Sequence, residues 1–368
     1  MKICIIAGSL PPQVCGVGDF TGALIDALKC RGLAVAVMHR EHWRLRDIPG
    51  LLRVLRAEEP DVIHLQYPTH GFRRSLVPHL LHLGLFGRPR LTALHDYAGQ
   101  RWQIRLGMSV FTIGGHLVVT GNLDRDALVR RHPWTAAKLS VIPIASNIPG
   151  GHWEPSGRFT ILHFGMLRPE KGIEEMIHLA RLCKQGGRPY RTIIMGAIVP
   201  HARDYAELLF RMGEDSGIEW RLNVSPEDAS DVLRHAHVAY LSPPCGVHER
   251  RGTLLACAAN GLPIVAKVDW ETPDFLRNHV VAAASPQEAL AAIDALAGSA
   301  HLQDQSMRSV ALAKMFSTDI IAGRYIEALE RAASRGSRSD RPSLTHASHL
   351  GPEPISGMAT TSNPRSRI

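Results

Sequence analysis

Short apolar runs bounded by glycine, proline or charge alternate along the chain with longer stretches whose apolar positions recur every three or four residues. The first pattern suits strands buried on both faces and the second suits helices that cover them, which predicts parallel sheets layered with helices. In the first half, strands are expected at 3–7, 34–38, 62–65, 91–94, 117–120 and 139–142, with helices such as 19–31 and 123–131 between them. A stretch rich in proline, glycine and serine follows at 145–158 and reads as a linker. The alternation then restarts, with strands at 160–163, 192–195, 218–222, 238–241, 264–266 and 280–284. Two consecutive doubly wound α/β domains are the expected architecture, divided at 1–148 and 149–316. After a last helix ending near residue 333, segment 334–368 is rich in Ser, Arg, Pro and Gly without apolar periodicity and is expected to be disordered.

The composition, 45% hydrophobic and 21% charged over 368 residues, is that of an ordinary globular protein and excludes collagenous, coiled-coil and wholly disordered classes. The net charge of +8 predicts an anionic partner. Much of that charge lies in the tail, where Arg331, Arg335, Arg338, Arg341, Arg365 and Arg367 face only Asp340 and Glu353, so the body is mildly basic. Six cysteines with no C-x-x-C spacing read as free thiols in a reducing, cytoplasmic compartment. The first apolar run is too short for a signal peptide, and no window approaches the roughly 18 apolar residues of a membrane span.

Ligands of doubly wound sheets bind beyond the carboxyl ends of the strands, so the loops there hold the candidate chemistry. After the first strand, Gly16, Val17 and Gly18 open a helix whose first amides can face an anion. After the first strand of the second half, Arg168 and Lys171 flank Pro169, a fork and a point charge that together can neutralise a diphosphate. Further on, Glu249, Arg250, Arg251, Gly252 and Thr253 precede the apolar helix 254–260, where a carboxylate can hold ribose hydroxyls and helix amides can hold phosphate. Each loop is also compatible with an ordinary solvated turn or helix cap.

The ordered series Gly16-Val17-Gly18, Pro60 to Tyr67, Leu94-His95-Asp96, Ile142 to Pro149, Phe164 to Gly172 and Arg250 to Ala266 resembles bacterial family-4 glycosyltransferases of the GT-B fold, over about residues 1–330. The resemblance implies two Rossmann-like domains facing across a cleft, with a closing helix, 317–333, crossing back toward the first domain. The first domain would bind the acceptor and the second a nucleotide sugar, with transfer in the cleft, retention at the anomeric carbon, no metal and no cofactor. By the same resemblance Arg168 and Lys171 hold the donor diphosphate and His95 faces the donor sugar or acceptor. Gly16, Val17, Gly18, Glu249, Arg251, Gly252 and Thr253 contact the donor. The implied acceptor is a glycan or a polyprenyl-linked sugar in bacterial surface polysaccharide assembly.

The chain departs from the family pattern in two places. Met166 stands where many relatives carry arginine, with Arg168 two residues later. The two glutamates that the family commonly spaces eight apart are replaced by His248 and Ala256. A subset reading Arg-Arg-Gly-Ser/Thr-Leu-Leu-Ala fits Arg250 to Ala256, which makes Glu249, Arg251 and Thr253 the best donor contacts, Thr253 doubling as a helix cap.

Asp124-Arg125-Asp126 imitates a D-x-D metal site, but it opens a helix, where acids favour the dipole. His79 and His82 share helical spacing without a third ligand, so a helical face is expected there. The segment 71–90, apolar in its middle with arginines at both ends, together with Arg44, Arg46, Arg53 and Arg56, suits either contact with an anionic inner membrane or helices covering the sheet. Nucleic-acid binding is not expected, because the aromatics and motifs it uses are missing. The competing reading is a noncatalytic relative that binds a nucleotide or glycan or scaffolds a partner, which the absent glutamate at Ala256 favours.

Overall fold

The computed structural model describes residues 1–13, 15–199, 202–298 and 300–339. Among them, twelve strands form two six-stranded sheets. The first comprises β1 (Lys2–Ala7), β2 (Ala34–His39), β3 (Val62–Tyr67), β4 (Arg90–Leu94), β5 (His116–Val119) and β6 (Leu139–Val141), and the second β7 (Thr160–Phe164), β8 (Arg191–Gly196), β9 (Glu219–Leu222), β10 (Val238–Leu241), β11 (Ile264–Ala266) and β12 (Val281–Ala282). Every pairing is parallel. Helices α1 (Gly16–Cys30), α2 (Ile48–Ala57), α3 (Val77–Gly84), α4 (Trp102–Met108) and α5 (Asn122–Arg131) serve the first sheet. The second has α6 (Ile173–Gln185), α7 (Arg203–Gly213), α8 (Pro226–His235), α9 (Gly252–Ala259), α10 (Asp274–Arg277), α11 (Pro286–Leu296) and α12 (His301–Met315).

Period-two burial explains why these runs are strands. In β1, Ile3 and Ile5 enter the core under α1, while Cys4 and Ile6 enter the opposite core with Leu51 of α2 and Leu81 of α3. Ile161 and Leu162 of β7, and Ile193 and Ile194 of β8, divide in the same way. A sheet covered on both faces favours apolar side chains, which is why the strands read as nearly continuous apolar runs.

The observed strands follow the expected ones closely. The predicted run at 280–284 shrinks to β12 because the chain turns at Ser285, the N-cap of α11, whose hydroxyl accepts the Glu288 amide. Charged Arg90 begins β4 yet is buried, its guanidinium donating to the His82 carbonyl. The expected His79 and His82 face is an aromatic one, with His79 stacked on Phe111 at 4.8 Å and His82 Nε2 2.9 Å from the Ile113 carbonyl.

The strand orders fix where ligands can enter. The first sheet runs β2-β1-β3-β4-β5-β6 and the second β12-β11-β10-β7-β8-β9. The order in which successive strands are added therefore reverses beside β1 in one sheet and between β7 and β10 in the other, and a crevice opens at the carboxyl ends of those strands. The closing helix α13 (Thr318–Ser339) lays Ile321, Tyr325 and Leu329 into the core of the first sheet. Arg31 ties it there by hydrogen bonds to the Asp319 carboxylate and main-chain carbonyl. The segment 340–368, most of the tail expected to be disordered, lies outside the described residues. No helix among the described residues is long and apolar enough to cross a membrane.

Candidate functional site

The crevice of the second sheet is built by two loops locked together. Gly172, at φ +73°, leaves no room for a Cβ against the Ser242 carbonyl, and the Ser242 hydroxyl donates to the Gly172 carbonyl at 2.9 Å. The same loop adds a bridge to the sheet, Leu167 with Ile198. These contacts set Arg168 and Lys171, which follow β7, beside Arg251, which follows β10.

The three cations repel one another. Burial, then the charges of Arg168 and Arg251, push the Lys171 ammonium down to about 8, against weaker opposing fields from Glu170 and Asp96. Burial lowers the Arg251 guanidinium as well, and its Nε is buried with no hydrogen-bond partner. Burial and the nearby charges of Arg251, Arg250 and Lys171 hold His248 neutral, down to about 2. Glu271 Oε2 lies 3.5 Å from His248 Nε2 and is the carboxylate whose field acts most on Arg251. Glu271 was not singled out in the sequence because it follows β11 without a motif around it.

Helix α9 begins at this cluster. Its N-cap is Arg251, in extended conformation, and the amides of Gly252 and Thr253 have no acceptor among the described residues. Thr253 is therefore inside the first turn and does not cap the helix, contrary to expectation. The dipole end of α9 and two free amides face the same space as the three cations, an arrangement suited to an anion of high charge density.

Glu249 does not join this cluster. Its carboxylate lies 2.5 Å from where a Cβ at Gly121 would be, and hydrogen-bonds the Asn122 amide at the start of α5 in the other domain. It takes the N-cap position that the α5 sequence leaves unfilled. The next residue, Arg250, donates to Asp96 at 2.7 Å and to Asp124 at 3.2 Å. Asp124 is fully buried and also accepts from the Ala98 amide and the Thr120 hydroxyl. The D-x-D look-alike thus contributes its first carboxylate to an interdomain ion pair, while Asp126 pairs with Arg125.

On the first sheet, the amino end of α1 borders the cleft. Gly16 is exposed, with nothing within 4 Å of a Cβ position, while a Cβ at Gly18 would lie 3.0 Å from the Ser9 carbonyl oxygen, so a side chain there would crowd the Ser9 backbone. Val17 is half-buried, and its carbonyl accepts the Thr21 hydroxyl. Asp19 in the same turn is hydrogen-bonded by Asn147 of the linker.

His95 follows β4 and is buried. His64 Nδ1 donates to the Leu91 carbonyl, so its Nε2 accepts from the Gln66 amide, and the Gln66 oxygen must accept from His95 Nε2. Burial holds His95 down to about 3 and His64 to about 4, so both rings are neutral. The relay fixes the His95 tautomer and leaves Nδ1 as its free lone pair.

No family model matches the chain, and no curated protein matches it either. Solved structures do match, and they establish the fold as GT-B. HepE of Anabaena, determined with UDP and glucose, superposes with a TM-score of 0.69 at 16% identity, covering 90% of this chain and all of that one. A glycosyltransferase from Rickettsia africae gives 0.69 at 13%, covering 90% and 98%. Sucrose-phosphate synthase of Thermosynechococcus elongatus gives 0.65 at 16%, covering 91% and 100%.

Proposed function

We propose that this protein transfers a glycosyl group from a nucleoside diphosphate sugar to a hydroxyl of a glycan or polyprenyl-linked acceptor, with retention of anomeric configuration. In this reading domain 149–316 binds the donor and domain 1–148 the acceptor. The observation that carries it is the group of Arg168, Lys171 and Arg251 at the end of α9, three repelling cations with an orphaned guanidinium N–H and two free amides. A donor diphosphate satisfies all of them at once. The GT-B neighbours support the reading, since HepE was determined with UDP and with UDP-glucose.

As the glycosidic bond breaks, negative charge grows on the diphosphate oxygen, where preorganised cations and amides stabilise the transition state more than the ground state. Arg168 and Lys171 supply the charge, and the Gly252 and Thr253 amides supply aligned dipoles. Gly16 leaves space for the sugar and phosphates to approach the backbone of α1, with Val17 and Gly18 shaping that turn. Through Nδ1, His95 accepts a hydrogen bond from a sugar or acceptor hydroxyl and orients it. The acceptor proton passes to the departing phosphate. With three protein cations on the diphosphate the transfer needs no metal.

Peripheral contact with an anionic membrane, and with it a role in surface polysaccharide assembly, is supported by neighbouring helices α3 and α4. These helices and the residues flanking them expose Leu80, Leu83, Phe86 and Trp102 among Arg88, Arg101 and Arg105.

The test is release of nucleoside diphosphate from a panel of UDP-, GDP- and ADP-sugars, with and without EDTA, alongside UDP affinity by calorimetry. One donor should be turned over equally in both conditions. Lys171→Ala should weaken UDP about ten- to hundredfold, as loss of a charge-assisted hydrogen bond does. Its apo-protein should melt no lower than the wild type, because the substitution relieves repulsion. Donor binding without turnover, acceptors included, would establish the noncatalytic reading, and no binding of any nucleotide sugar would sink both.

A further inference from the structure

A second concave site lies on the first sheet, away from the cation cluster just described. The loops that follow β2 and β3, residues 41–45 and 71–76, line an open depression of about 510 Å³ at the carboxyl end of the sheet, next to its switch point. Buried Trp43 and Phe72, packed edge to face with centroids 4.9 Å apart, contribute its apolar lining. Arg44, Arg73 and Arg74 line it from exposed positions, against a single carboxylate, Glu41. None of the three guanidinium groups has an ion pair or a side-chain hydrogen bond with a described residue.

An independent observation points to a ligand. Trp43 is only 7% exposed, and its indole Nε1 is buried without an acceptor. A buried donor left unpaired costs about 1–3 kcal/mol. The backbone of Trp43 is held in place, its carbonyl accepting the Ser75 hydroxyl at 2.8 Å while that hydroxyl accepts the Val77 amide.

We propose that this depression binds a phosphate ester, the phosphate or diphosphate group of the acceptor. Three exposed guanidinium groups without ion pairs supply charge-assisted donors for phosphate oxygens, the unpaired Trp43 N–H lies in the wall behind them, and the apolar lining of Trp43 and Phe72 sits beside them. The site rests on the transferase reading only in naming its occupant an acceptor. Phosphate recognition itself is independent of the donor site.

The test titrates inorganic pyrophosphate and geranyl diphosphate into the full-length protein by calorimetry, with and without saturating UDP. Vesicles of phosphatidylglycerol serve as a separate arm. Wild-type protein should bind pyrophosphate at a site that UDP does not displace. Arg73→Ala/Arg74→Ala should weaken that site about tenfold or more, and Trp43→Phe, which keeps a ring and removes the N–H, several-fold. Circular dichroism and unchanged UDP affinity show that the variants are folded. Failure of the donor reading appears separately, as wild-type protein that does not bind UDP. The proposal is overturned if the double arginine variant leaves the pyrophosphate isotherm unchanged, or if Trp43→Phe binds as wild type. It is equally overturned if only vesicle binding is lost, which would make this face a membrane contact.

Discussion

Arg168 and Arg251, with Lys171 between them, stand 83 residues apart in sequence, yet the three charges meet because two loops at the end of one sheet are clamped together. Glu249, two positions before Arg251, goes elsewhere, since a carboxylate finds the unfilled amide at the start of α5 a ready partner. The neutral histidines give a second consequence at this scale. Burial holds His64 and His163 down to about 4 and His95 to about 3. Above about pH 6.5 they are neutral in both folded and unfolded chains and cost nothing. As pH falls below that value the unfolded chain takes up protons that the native state refuses, so stability drops until about pH 4, by about 1.4 kcal/mol per pH unit for each such group. Urea unfolding between pH 7 and 4.5 should show this slope. His163→Gln should flatten it by about one proton, and an unchanged slope would mean that the ring titrates freely in the native state.

At the scale of elements, the glycines of the two site loops separate folding from ligand approach. Gly172 has a left-handed φ and no space for a Cβ against Ser242, so Gly172→Ala should destabilise by about 1–3 kcal/mol in chemical denaturation. Gly16 has ordinary φ and open surroundings, so Gly16→Ala should unfold like the wild type. If the donor approaches the α1 backbone, the same change should weaken donor binding several-fold. Equal donor affinity in Gly16→Ala would remove that loop from the site. The short apolar runs made nearly every strand legible, because a strand covered on both faces has little choice of residue. Thr253 was misassigned as a cap, since a threonine before an apolar run looks the same whether the helix starts at it or just before it.

At the scale of the molecule, Arg250 joins the two domains by pairing with buried Asp124 and exposed Asp96. Arg250→Ala leaves the Asp124 carboxylate buried and uncompensated, and removing one partner of such a pair costs about 3–5 kcal/mol. Asp124→Asn alone should cost less, and the double variant Arg250→Ala/Asp124→Asn should recover a large part of the loss. Solution scattering should show a larger radius of gyration for Arg250→Ala if the pair holds the cleft closed. Additive single effects in the cycle would remove the coupling.

The sequence by itself determined the two doubly wound halves, their strand runs and the basic loops after β7 and β10, because burial on two faces and charge after strands are local patterns. Tertiary structure decided what those residues touch. The closing of Glu249 and Arg250 onto the first domain, the relay from Leu91 through His64 and Gln66 to His95, and the depression lined by Trp43 all join residues distant in sequence. Each depends on the order in which strands neighbour one another, and a run of apolar residues carries no record of its neighbours.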